Sequence, residues 1–183
     1  MDYRQLFDSI HPGFFGDAGI AGMPEDHVFA ELVMDLRKDR PADVPFACPE
    51  GLAFGEYRGE AMALRDAVAA VDEDWVQYFR DNTPVFCACD RGRIASFCIL
   101  SDWGLHQGLR IGGPGCVGTI PEYRGKGIGL ELVRQATLLL QEQGFDLSWI
   151  HYTHLERWYQ KLGYRTVLRW NRSGIMENRE NAL

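Results

Sequence analysis

The 183-residue chain is 46% apolar and 25% charged, with a formal net charge of −7. That balance predicts one globular domain with a substantial core and excludes disordered or fibrous chains; no apolar run approaches the length of a membrane-spanning helix, so no membrane is expected. The acidic balance also speaks against nucleic acid as partner, since a phosphate backbone calls for a basic patch.

The N-terminus, Met1-Asp2-Tyr3-Arg4, lacks the apolar stretch of an export signal, and a cytoplasmic location is expected. Tyr3 to Ile10 reads as a short helix and His11-Pro12-Gly13 as a turn. Pro24-Glu25-Asp26, followed by Phe29, Leu32, Val33 and Leu36, predicts a helix with an acidic first turn. Arg37 to Gly51 holds three prolines and is expected as loop. Residues 1–50 are therefore expected as an N-terminal extension packed on a domain that spans residues 51–183.

From Leu52 the pattern becomes regular. Leu52 to Tyr57 predicts a strand, Glu60 to Val71 a helix, and Asp72 the N-cap of a second helix through Phe79. Pro84 to Cys89 and Arg93 to Leu100 are β-rich runs joined by Asp90-Arg91-Gly92, a hairpin signal. Leu109 to Ile120 is the next strand, with Gly112-Gly113-Pro114-Gly115 predicting a bulge or break inside it. A helix with Ile128, Leu132, Ala136, Leu139 and Leu140 on one face follows and ends at Gly144. Phe145 to Tyr152 and Arg165 to Trp170 complete the strands. The five cysteines (Cys48, Cys87, Cys89, Cys98, Cys116) are odd in number and contain no C-x-x-C pair. They predict small buried thiols in a reducing compartment, with no disulfide framework and no metal site.

Two stretches carry chemistry. Cys116 to Leu130 reads C-V-G-T-I-P-E-Y-R-G-K-G-I-G-L: a strand, a glycine turn and a helix N-terminus. Closely spaced glycines point successive N–H groups into one concavity, and the helix adds unpaired donors and the positive end of its dipole, so a pyrophosphate fits there. A P-loop requires Gly-Lys-Ser/Thr, but Gly127 follows Lys126; the dinucleotide fingerprint requires G-x-G-x-x-G, but Gly125, Gly127 and Gly129 read G-x-G-x-G. Thr153 to Tyr164 reads T-H-L-E-R-W-Y-Q-K-L-G-Y. Thr153 and Glu156 have capping-box spacing, and Leu155, Trp158, Tyr159 and Leu162 form a helical stripe closed by Gly163.

The R-x-x-G-x-G run from Arg124 to Gly129 resembles the acetyl-CoA pyrophosphate loop of the GCN5-related N-acetyltransferases (GNAT), and Tyr159, Leu162, Gly163 and Tyr164 resemble the Tyr-x-x-Leu-Gly-aromatic ending of that family's second motif. The order β-α-α-β-β-β-α-β-α-β over roughly residues 51–171 is the one expected of the family. The resemblance implies an α/β fold with a mixed, mostly antiparallel central sheet and helices on both faces. It implies acetyl-CoA as acyl donor, no metal, and direct transfer to the primary amine of a small molecule. Val117, Gly118 and Thr119 would supply a strand edge for the pantetheine arm, and Arg124, Gly125, Lys126, Gly127, Ile128 and Gly129 the pyrophosphate cradle. Tyr159 matches the family's general acid. The glutamate that many members carry on the strand before the loop is absent from Leu109 to Ile120, which leaves open a water relay or a base from elsewhere; His151 and His154 flank the end of the strand beside the proposed thioester, and His151 is the candidate proton relay. Tyr152 stands where the family often has an asparagine.

Charge is unevenly spread: residues 1–83 hold 17 acidic and 7 basic side chains, residues 84–183 hold 9 and 12. The acidic half motivates a cationic acceptor. A non-catalytic CoA-binding module of the same fold is the alternative, and a transferase for a longer acyl group a third reading. Edge strands near the C-terminus are compatible with a homodimer.

Overall fold

A computed structural model describes residues 1–43 and 48–179. Residues 44–47, inside the expected proline-rich loop, and residues 180–183 lie outside the described residues. The elements in chain order are α1 (Tyr3–Ile10), α2 (Ala18–Ala21), β1 (Phe29–Asp35), β2 (Leu52–Glu56), α3 (Ala61–Ala69), β3 (Val85–Asp90), β4 (Arg93–His106), β5 (Leu109–Thr119), α4 (Ile128–Glu142), β6 (Leu147–Thr153), α5 (Glu156–Gln160), β7 (Arg165–Asn171) and β8 (Gly174–Asn178). Short 3-10 turns at Phe14–Gly16, Glu73–Tyr78 and Pro121–Tyr123 join them. One eight-stranded sheet runs in the order β2-β3-β4-β5-β6-β1-β7-β8. β5 and β6 are parallel; every other neighbouring pair is antiparallel.

Helices cover both faces, as the sequence predicts. On one face α1 buries Tyr3, Leu6 and Phe7 against Val33, Ile111, Leu147 and Trp149, while α3 and the Glu73–Tyr78 turn surround Val68, Phe79 and Phe97. On the other face α4 and α5 pack Leu130, Val133, Tyr159 and Leu162 against Leu32, Met34 and Ile150. Local chemistry sets the boundaries. The Asp2 carboxylate accepts from the Gln5 N–H at 3.0 Å to start α1, and Asp72 accepts from Asp74 N–H at 3.0 Å to start the 3-10 turn. Arg91 and Gly92, with φ of 47° and 83°, make the two-residue turn that matches the twist of β3 and β4. Among the described residues, no helix is long and apolar enough to cross a membrane.

Several expectations need correction. Residues 29–35 form a strand where the spacing of Phe29, Leu32 and Val33 predicts a helix. β1 lies between β6 and β7 and is buried on both faces, and such a strand has no period-two pattern to read. The segment before residue 50 supplies an interior strand of the sheet. The Gly112–Gly115 run is paired strand, not a break: added side chains at Gly112 and Gly113 would meet the Ser101 and Trp149 carbonyl oxygens. The bulge falls one residue later, where Cys116 and Val117 together oppose Cys98 between the pairs Phe97↔Gly118 and Ile99↔Gly115. The capping box does not form. Thr153 Oγ1 accepts from Leu155 N–H at 3.0 Å, and the Glu156 carboxylate turns to Thr166 Oγ1 (2.7 Å) and the Arg169 guanidinium (2.9 and 3.0 Å). β8 has no counterpart in the expected order.

Candidate active site

β5 and β6 pair only at Ile111↔Leu147 and Gly112↔Ser148, and the ladder ends there. Pro114, which has no N–H to give, lies two residues past the last pair. On β5 the bulge turns the strand at Cys116 (φ 46°), and on β6 Tyr152 takes φ 56°. Both strands bordering the gap therefore hold a non-glycine residue in left-handed backbone, a costly conformation that packing has to sustain.

The glycine loop closes one end of this gap. Gly125 and Gly127 each have φ of 75°, and a side chain added at Gly125 would meet nothing within 4 Å. Gly127 begins α4 without a side-chain cap, so the first-turn N–H groups, from Ile128 and Gly129 onward, have no side-chain acceptor at the helix start. An open concavity of donors at a helix N-terminus fits a di-anionic phosphate group. Gly129 serves a different purpose, since a Cβ there would press on Thr119 Oγ1 at 2.8 Å. The two cations fold back on the loop: Arg124 Nε donates to the Thr119 carbonyl at 3.0 Å, and Lys126 Nζ to the Glu122 carbonyl at 2.9 Å. Thr119 and Gly118 pair with Ser96 and Phe97 of β4, and the Gly118 carbonyl accepts from Ser96 Oγ at 2.6 Å. Val117 lies in the bulge and packs under α4.

Tyr159 and His151 approach the gap from opposite faces. Tyr159 is 6% exposed on the α4 side, among Ile150, Leu162 and Tyr164 with Val117 and Trp158 against them. Its hydroxyl makes no hydrogen bond to the described residues. Burial first, then Tyr164, Cys98 and Cys116, push that hydroxyl well above the ordinary tyrosine range, so the proton stays on oxygen at neutral pH. His151 sits on the α1 side, three residues past the last β5–β6 pair. Its Nδ1 lies 3.0 and 3.1 Å from the two carboxylate oxygens of Glu31, and its ring stacks on His11 with centroids 4.0 Å apart at 17°. Phe14 and Tyr152 meet the ring edge-on at 5.2 and 5.9 Å. Burial, and next the neighbouring His151, pull His11 down to about 4. The Cys116 thiol is pushed up to about 11, by burial and then by the Asp72 carboxylate, so it is not a thiolate nucleophile near neutral pH.

Sequence reasoning missed Glu31 and His11, because one falls in a segment read as helix and the other in a turn. It also read Trp158 only as core, whereas its ring lies 3.6 Å from where a Gly129 side chain would begin.

An open mixed sheet that parts between two parallel neighbours, with a glycine loop starting the helix between them, is the fold of the GCN5-related N-acetyltransferases. Residues 81–166 match the acetyltransferase (GNAT) domain family model. Among solved structures, the chain is similar to a GCN5-related glucosamine N-acetyltransferase region of a fungal multi-domain GH3 β-N-acetylglucosaminidase, with 23% identity and a TM-score of 0.65 over 79% of this chain and 20% of that one. It is also similar to a GCN5-related N-acetyltransferase from Kribbella flavida, with 18% identity and a TM-score of 0.56 over 85% and 60% of the two chains. A third, from Sphaerobacter thermophilus, gives 18% identity and a TM-score of 0.54 over 79% and 50%. The chain thus spans between a fifth and three-fifths of these structures, and at such identities the likeness is one of fold. A search of curated proteins gives no match.

Proposed function

We propose that the protein transfers an acetyl group from acetyl-CoA to the primary amine of a small, cationic acceptor. The observation that carries this reading is the gap between β5 and β6, with a protonated phenol on one face and an imidazole on the other. The first turn of α4 and the loop from Arg124 to Gly129 hold the pyrophosphate, and the edge of β5 at Val117, Gly118 and Thr119 lies along the pantetheine arm. Acetyl-CoA supplies an activated thioester carbonyl when bound.

His151 removes a proton from the acceptor amine on the α1 side, the amine nitrogen bonds to the carbonyl carbon, and the carbon–sulfur bond breaks. Tyr159 gives its proton to the departing sulfur on the α4 side. General acid and base groups of this kind each contribute roughly 10²-fold to 10⁴-fold. The acceptor comes from the α1 side, where residues 1–83 carry 17 acidic and 7 basic side chains. Those acids attract a cation.

The test is thiol release from acetyl-CoA with a panel of cationic, neutral and anionic amines across ionic strength. The expected result is turnover with a cationic amine, with an apparent second-order rate for the acceptor that falls as salt rises. Binding of acetyl-CoA with no release above background would identify a non-catalytic binding module instead. Turnover confined to neutral or anionic amines would remove the cationic assignment.

A further inference from the structure

A buried carboxylate in β1 ties the gap to the sheet. Glu31 is 0% exposed in β1 and collects four N–H groups: the indoles of Trp149 (2.6 Å) and Trp170 (2.7 Å), the backbone N–H of Tyr152 (3.1 Å) and His151 Nδ1 (3.0 Å). The two indole N–H groups and the Tyr152 N–H need an acceptor here, and the fourth partner, His151 Nδ1, ties the same carboxylate to the ring beside the gap.

The donors decide the tautomer. Indole and amide nitrogens only donate, so both Glu31 oxygens accept, and the proton of a neutral His151 ring must sit on Nδ1. The basic lone pair is then on Nε2, which makes no hydrogen bond to the described residues. The rest of the surroundings fix the ring plane. His11 stacks on one side, Phe14 meets the ring edge-on at 5.2 Å, and Phe7 lies at 6.0 Å. The side chain keeps 22% of its surface exposed. An imidazole held this way has its orientation and tautomer set before an acceptor arrives, which is where a second group raises the rate of a proton transfer.

We propose that Glu31 is the positioning residue of the transfer reaction, holding His151 so that Nε2 takes the proton of the acceptor amine; this rests on the acetyl-transfer reading above. The N-terminal segment then completes the active site. β1 brings the carboxylate and the end of α1 brings the ring that stacks on His151.

Two measurements on the full chain test this. In the unmodified protein, long-range proton–nitrogen NMR of the neutral His151 ring should show Nδ1 protonated and Nε2 bare. In kinetics, Glu31→Gln should lower kcat by roughly 10-fold to 10³-fold with the KM for acetyl-CoA within about twofold. His151→Gln should lower it at least as far, and the double variant should lose no more than His151→Gln alone, because the two act as one unit. A merely structural carboxylate would give additive losses. Should Glu31→Gln fail to fold, the NMR tautomer and the Glu31→Asp variant carry the decision, and an Nε2-protonated ring overturns the proposal. Unchanged kcat in Glu31→Gln, or additive losses, also overturns it while leaving acetyl transfer standing. No thiol release from the unmodified protein with any amine overturns the transfer reading and the proposal with it.

Discussion

Gly113 and Trp149 meet where β5 and β6 part: a Cβ added at Gly113 would run into the Trp149 carbonyl oxygen. The last pair of the ladder, Gly112↔Ser148, lies immediately before this contact. Gly113→Ala should therefore force the strands apart at the root of the gap and cost about 1–3 kcal/mol, as overpacking generally does. For a chain of this size that is roughly 2–4 °C of Tm per kcal/mol. Thermal unfolding followed by circular dichroism checks it, and an unchanged Tm would show that the contact relaxes freely.

The glycine loop gives a binding prediction. Gly127 holds φ of 75°, and a β-branched residue there both resists that conformation and fills the concavity. Gly127→Val should weaken acetyl-CoA binding by roughly tenfold or more, since left-handed backbone costs a substituted residue about 1–2 kcal/mol before any steric block. Calorimetric titration measures it, with circular dichroism to establish that the variant is folded.

Tyr159→Phe separates chemistry from packing. The ring and its contacts with Trp158 and Tyr164 remain, and the hydroxyl has no hydrogen bond to lose among the described residues. Stability should change little. Turnover should fall roughly 10²-fold to 10⁴-fold with acetyl-CoA affinity nearly intact. Turnover close to the parent's would leave Tyr159 as a core aromatic.

His11 gives the fold a pH dependence whose sign follows from its shift. In the folded chain its pKa is down from 6.5 to about 4, so the unfolded chain binds the proton first as pH falls. Its contribution is complete above about 6.5, declines between 6.5 and 4, and is fully lost below about 4. Discounted for partial exposure, the loss is on the order of 1–2 kcal/mol. Asp35 and Glu156, held below the usual carboxylate range chiefly by their hydrogen bonds to Arg37 and Arg169, lose their contributions at lower pH. Urea midpoints between pH 7 and 4 should fall for the parent and stay flatter for His11→Phe. Parallel slopes would place the titrating group elsewhere.

What the sequence by itself determined is what neighbouring residues decide among themselves. The Arg91-Gly92 turn, the helix from Ile128, the loop of alternating glycines and the short helix around Tyr159 all rest on periodicity, caps and backbone preference within a few residues. They were enough to read the order of most elements from residue 51 and the place of the glycine loop. The tertiary structure alone decided that residues 29–35 are a strand inside the sheet, since burial on both faces erases the alternation that marks a strand. It alone brought Glu31 to Trp149, His151 and Trp170, which lie 118, 120 and 139 positions away in the chain. It also set Tyr159 and His151 on opposite faces of one gap. Eight residues apart in sequence, they are divided by the sheet itself, because a strand sends alternate side chains to opposite faces and the chain then turns into α5 on one of them.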